Sequence, residues 1–173
     1  MKKKGYIIFL RCVLAVLIVA NMAVIFAFSA QDSKESSDTS GKVTEIVATI
    51  VVKDFESKTE AEKSEIIWKI HPPTRKAAHM MEFGCLGALI LLLLLTWDSM
   101  PFLRYLLSLA LTFLYACTDE IHQMSIDLRG PAVSDALIDL SGALISCTVL
   151  FLLAMLVKKA RTKKGAKHAA HTL

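Results

Sequence analysis

The chain has 173 residues, 54% of them hydrophobic, with a mean hydropathy of +0.52 and a formal net charge of +4. That is too apolar for a soluble domain of this size and suits an integral membrane protein. The positive charge sits at the two ends: Lys2, Lys3 and Lys4 at the start, then Lys158, Lys159, Arg161, Lys163, Lys164 and Lys167. No aromatic residue interleaves the basic tail, which argues against nucleic acid as a partner and for anchoring at a lipid bilayer surface.

The first apolar run covers residues 6–30. It begins like a signal peptide but is long for one, and Ala23 to Ser29 shows no clear cleavage pattern, so an uncleaved anchor is predicted. Arg11 can snorkel to the interface. Residues 31–74 are a polar insert. Ser36 to Gly41 reads as a loop. Val43, Ile46, Val47 and Ile50 then recur at helical spacing, as do Ile66, Ile67 and Ile70. Two short amphipathic helices are predicted, on the membrane surface or on the bundle. Pro72 and Pro73 are expected to end the second.

Three more spans follow, at about residues 75–97, 100–123 and 132–157. Each is long enough to cross a bilayer core. Asp98 to Pro101 is a turn, with Ser99 as N-cap and Pro101 in the first helical turn. Met124 to Pro131 is a short loop, and residues 158–173 form a basic tail. The predicted fold is an all-α membrane protein, a four-transmembrane-helix bundle in one domain, with short amphipathic helices in the first extracytoplasmic loop. Basic flanks and an even span count put both termini in the cytoplasm. The insert carries both signs of charge, so it weighs less in that argument.

Ionisable residues mark one end of three spans. Arg75, His79 and Glu82 share a stripe near the start of the second. Ser108, Thr112, Tyr115 and Asp119 share another, with Glu120 and Gln123 at the end of the third. Asp135 and Asp139 open the fourth, on the face of Gly142 and Ser146. Gly84 and Ala88 give the second span its own small-residue pair, a mark of helix contact in membranes. Alternating topology brings all these ends to one side of the membrane. Two readings stay open. A network of polar groups can lock helices together, although such bonds typically give only about 0.6 kcal/mol each in a membrane. Intramembrane charge is otherwise functional by default.

The chemistry open to these residues is broad. Carboxylates and His79 can hold a divalent cation, but the spacing is no metal fingerprint, and no metal or cofactor is predicted. Arginine can clamp phosphate or carboxylate through two parallel hydrogen bonds. Paired carboxylates in different surroundings can act as acid and base. Glu82, Asp119, Glu120 and His79 are the catalytic candidates. Arg75, Lys76, His79, Glu82, Asp119, Glu120, Gln123, Arg129, Asp135 and Asp139 are the ligand-binding candidates. His122 reads as an interfacial loop residue, and His71, His168 and His171 carry no weight. Cys12, Cys85, Cys117 and Cys147 make no CxxC and read as small buried hydrophobes.

Arg75-Lys76-Ala77-Ala78-His79-Met80-Met81-Glu82-Phe83 resembles the basic, histidine and aromatic element of the VanZ-like membrane proteins. Asp119-Glu120-Ile121-His122-Gln123 resembles their DExxQ element. Arg129, Asp135, Asp139 and Gly142 continue the pattern, and Phe28-Ser29-Ala30-Gln31 resembles the serine–glutamine signature that ends their first span. The chain departs at Ile126-Asp127-Leu128, where members commonly carry a proline–glycine turn. The resemblance implies a bacterial multi-pass membrane protein of the cell envelope, from a family whose namesake is associated with resistance to the glycopeptide antibiotic teicoplanin. Three function classes are open. One acts on, or binds, a cell-wall precursor or anionic lipid and includes enzymes. A second is a non-catalytic accessory protein. A third, a small transporter, ranks last because neither broken helices nor repeated halves are visible.

Overall fold

The computed structural model describes residues 2–30, 33–127 and 133–170. Helices α1 (Lys2–Ser29), α2 (Ser33–Val51), α3 (Glu60–Leu94), α4 (Pro101–Asp127) and α5 (Val133–Ala170) account for nearly all of them, with one 3-10 turn at Phe55–Ser57. Among the described residues there is no strand, so the all-α expectation holds. Four helices are long and apolar enough to cross a membrane: Lys4–Ser29, Glu60–Leu94, Pro101–Met124 and Asp135–Ala160. Large apolar side chains such as Phe9, Leu106, Leu114 and Leu152 point outward along them, as a lipid-facing surface requires.

Helix α3 is the hub and touches each of the other four. One core forms where α1, α3 and α4 meet, from Ile25, Phe83, Leu86, Ile90 and Ala116. The seam between α3 and α5 is made differently, by absent side chains. A Cβ on Gly84 would lie 3.1 Å from the Gly142 carbonyl oxygen, and a Cβ on Gly142 would run into the Met80 carbonyl oxygen. Ser146 Oγ donates to the Gly84 carbonyl at 2.7 Å across this contact. Small residues thus let the two backbones touch, which is how helices gain contact where lipid offers no hydrophobic drive. Tyr105 completes the bundle from α4, with its hydroxyl 2.9 Å from Thr148 Oγ1 and its ring 5.3 Å from that of Phe151.

The insert is a helical hairpin, and two expectations about it are corrected. Ser36 to Gly41 is not a loop but lies inside α2. Thr44 and Ala48, one turn apart, are fully buried, and that tertiary support overrides weak local propensity. The second correction is larger. Pro72 and Pro73 do not end a helix, because α3 runs through both as one element of 35 residues. Two prolines remove two N–H donors, those that would serve the Trp68 and Lys69 carbonyls, at a cost of about 3 kcal/mol or more per interior proline. The helix persists because it is fixed on both sides. Before the prolines, Thr59 and Glu62 form a reciprocal capping box, and Phe55 is buried at the hairpin turn. Beyond them lies the Gly84–Gly142 seam, and Thr74 Oγ1 donates to the Ile70 carbonyl at 2.8 Å.

Smaller differences concern ends. Pro101 is the first residue of α4, so Met100 rather than Ser99 takes the N-cap position. The Ser99 carbonyl instead accepts from Arg104, whose guanidinium also reaches the Trp97 carbonyl at 3.2 Å. Helix α5 carries on through the basic tail to Ala170. Cys147 is buried as expected, but Cys12 and Cys85 face outward, and Cys117 is intermediate. Arg11 has fixed partners at the end of α3. Its Nε and one terminal nitrogen donate to Thr96 Oγ1 and the Thr96 carbonyl, both at 2.9 Å, and its guanidinium lies 4.1 Å from the Trp97 ring centroid.

Candidate functional site

Three helices bring the polar stripes to one end of the bundle. A cleft of about 260 Å³ opens there. His71, Pro72, Arg75, Lys76 and His79 of α3 form one wall. Glu120 and Gln123 of α4, and Asp135, Ile138 and Asp139 of α5, form the others. The helical register explains the α3 wall, since positions 72, 75, 76 and 79 share a face at three- and four-residue spacing. The walls differ in charge. Cations and imidazoles line α3, and carboxylates line α4 and α5.

One ion pair spans the cleft walls, and another lies along α3 beside it. Lys76 Nζ and Asp135 Oδ1 stand 3.9 Å apart, and His79 Nδ1 and Glu82 Oε2 3.8 Å apart. Among the described residues, Arg75 has no carboxylate at ion-pair distance. Asp119 is 4% exposed and Asp139 7%. One oxygen of Asp119, Oδ2, accepts from Ser29 Oγ at 2.8 Å and from Gln123 Nε2 at 2.9 Å. The same amide nitrogen also reaches Ser29 Oγ at 3.3 Å. The other oxygen, Oδ1, and His79 Nδ1 are buried without a hydrogen-bond partner. Such atoms are costly and call for an explanation by a ligand or an ion. One turn below, Tyr115 donates to the Met22 carbonyl at 2.7 Å.

Of the ligand-binding candidates, the cleft gathers Arg75, Lys76, His79, Glu120, Gln123, Asp135 and Asp139. Glu82 and Asp119 do not line it. Glu82 neighbours His79, and Asp119 neighbours Gln123. Arg129 lies outside the described residues. Two participants stand outside the candidate list. Ser29, the last residue of α1, holds Asp119. His71 lines the cleft because the helix does not stop at the prolines. His122 sits on α4 rather than in a loop, stacked on Phe26 with ring centroids 4.4 Å apart. Among the described residues, no three His, Cys, Asp or Glu side chains converge as metal ligands.

Four apolar helices, three of them framing a charged cleft at one end, define a multi-pass membrane protein with an amphoteric pocket. The VanZ/LLP1 family model matches residues 14–157, which takes in all the cleft residues, two spans whole and most of the other two, and the chain belongs to this family. No curated protein and no solved structure matches the chain.

Proposed function

We propose that this protein works in a bacterial cell envelope, with both termini cytoplasmic, and that its cleft takes the headgroup of a cell-wall precursor or anionic lipid at the extracytoplasmic face. One observation carries the reading: Arg75 lines the cleft with no carboxylate at ion-pair distance among the described residues. A guanidinium near hydrocarbon calls for a counter-charge, and its planar fork fits phosphate or carboxylate through two hydrogen bonds. Glu120, Asp135 and Asp139 opposite it supply acceptors for the hydroxyl and amine groups of such a headgroup. Glu82, Asp119, Glu120 and His79 remain the groups to test for acid–base work on it.

The test is binding of a lipid-linked cell-wall precursor, and of phosphatidylglycerol, to the purified full chain and to Arg75→Lys. Loss of precursor binding in a folded Arg75→Lys protein supports the reading. Equal binding by both proteins removes it. Glycopeptide susceptibility on overexpression is the cellular readout. A second reading, a non-catalytic accessory protein, draws on the bonds from Ser29 and Gln123 to Asp119, which employ a buried acid in tying α1 to α4. Product formation from the bound precursor separates the two.

A further inference from the structure

The opposite end of the bundle holds a second built depression. There α3 ends, α4 begins and α5 passes alongside. They enclose a cavity of about 330 Å³ whose polar lining is Thr96, Trp97, Asp98, Arg104 and Lys158. Leu95, Ala154 and Lys158 also line an apolar groove of about 620 Å³, which continues between α3 and α5 along Leu92, Leu150 and Leu153. Polar cavity and apolar groove therefore join, with Lys158 at the junction.

The charge there is uncompensated. Among the described residues, Arg11, Arg104 and Lys158 have no carboxylate at ion-pair distance. Arg104 is held at the turn by the Trp97 and Ser99 carbonyls, and its Nε is buried without a hydrogen-bond partner. Asp98 is the one acid in the lining. Trp97, with Arg11 over its ring, marks the depth at which aromatic residues meet headgroups.

We propose that this depression binds one anionic glycerophospholipid of the adjacent leaflet, its phosphate against Arg104 and Lys158 and one acyl chain along the groove between α3 and α5. Basic pockets between spans suit phosphate headgroups, and the joined apolar groove selects a lipid over a free anion. Asp98 opposes the phosphate and sets a limit on affinity.

The deciding experiment titrates phosphatidylglycerol, phosphatidylcholine and inorganic phosphate, separately, into the full chain in neutral detergent. Thermal midpoint and retained lipid by native mass spectrometry are read for each. Phosphatidylglycerol should raise the midpoint and be retained, and the other two should not. Arg104→Gln also loosens the turn, so Lys158→Gln is the sharper variant. It should weaken phosphatidylglycerol binding about fivefold, the usual weight of one basic residue at an anionic surface. Lys163→Gln, further along the tail, should leave binding unchanged, and Asp98→Asn should strengthen it. Equal losses in Lys158→Gln and Lys163→Gln would mean surface attraction alone and overturn the proposal. So would an effect of inorganic phosphate equal to that of phosphatidylglycerol.

Discussion

Ser29 Oγ donates to Asp119 Oδ2 across 2.8 Å, joining residues 90 positions apart and closing α1 onto α4. Polar bonds between spans average about 0.6 kcal/mol, with a maximum near 1.7. A Ser29→Ala, Asp119→Asn double-mutant cycle should therefore give a coupling energy of about 0.6–1.7 kcal/mol by reversible unfolding in detergent. A coupling of zero would show that the two side chains merely lie close.

Gly142→Ala should be far more damaging than its one methyl suggests. The new Cβ meets the Met80 backbone, which cannot rotate away, so α3 and α5 must part. Overpacking of this kind costs about 1–3 kcal/mol. Gly41→Ala is the matched control. Nothing lies within 4 Å of its added Cβ, and removing a mid-helix glycine should stabilise by up to about 1 kcal/mol. Thermal midpoints of the two variants should move in opposite directions.

Arg11→Lys tests the clamp at the other end. Lysine keeps the charge but replaces the planar fork, whose two nitrogens reach Thr96 Oγ1 and the Thr96 carbonyl, with a single nitrogen on a flexible stem, and it stacks less well on Trp97. We expect a loss of about 1 kcal/mol, in the range of a partly desolvated cation–aromatic pair. Trp97→Leu should remove most of the same increment, and the combined variant should lose less than the sum.

Pro72→Ala with Pro73→Ala restores two backbone donors inside a helix that is already continuous. The doubly substituted chain should unfold at higher temperature, and amides just beyond position 73 should exchange more slowly with solvent. A lower midpoint would show that the proline rings make packing contacts worth more than the missing bonds.

Topology is open to direct labelling. Phe55 is buried in the hairpin turn, so the exposed neighbour Glu56 is the better site. In a chain stripped of native cysteines, Glu56→Cys should react with an impermeant maleimide on intact cells, and Asp98→Cys only after permeabilisation. The reverse pattern would turn the cleft toward the cytoplasm.

The spans were legible because hydropathy and length are local properties of the chain. The same holds for the stripe Ser108, Thr112 and Asp119, whose four- and seven-residue spacing puts all three on the buried face of α4. What failed was inference across the prolines. Reading Pro72–Pro73 as a stop is sound for an isolated peptide. The force that overrides it comes from Phe55 and Gly142, on either side in space, and nothing local announces it. The same stop hides His71, which carries no weight in the sequence but lines the cleft once the helix runs through the prolines. The partners of Arg11 and Ser29 were invisible for a plainer reason. Each is a single polar side chain whose counterpart lies 85 or 90 residues away, and no periodicity links them.

Those two long-range bonds also bear on the order in which the protein is made. Helix α1 leaves the ribosome first, yet only 6% of its apolar window is buried in the finished bundle. Its polar fastenings, Arg11 to Thr96 and Ser29 to Asp119, wait for 85 and 90 further residues. At usual elongation rates that is a delay of roughly 5–20 s. Until the second span is made, the first helix has lipid alone around it and is free to turn about its long axis. Its rotation is then fixed in two steps, first by Thr96 as the second span ends and last by Asp119 as the third does.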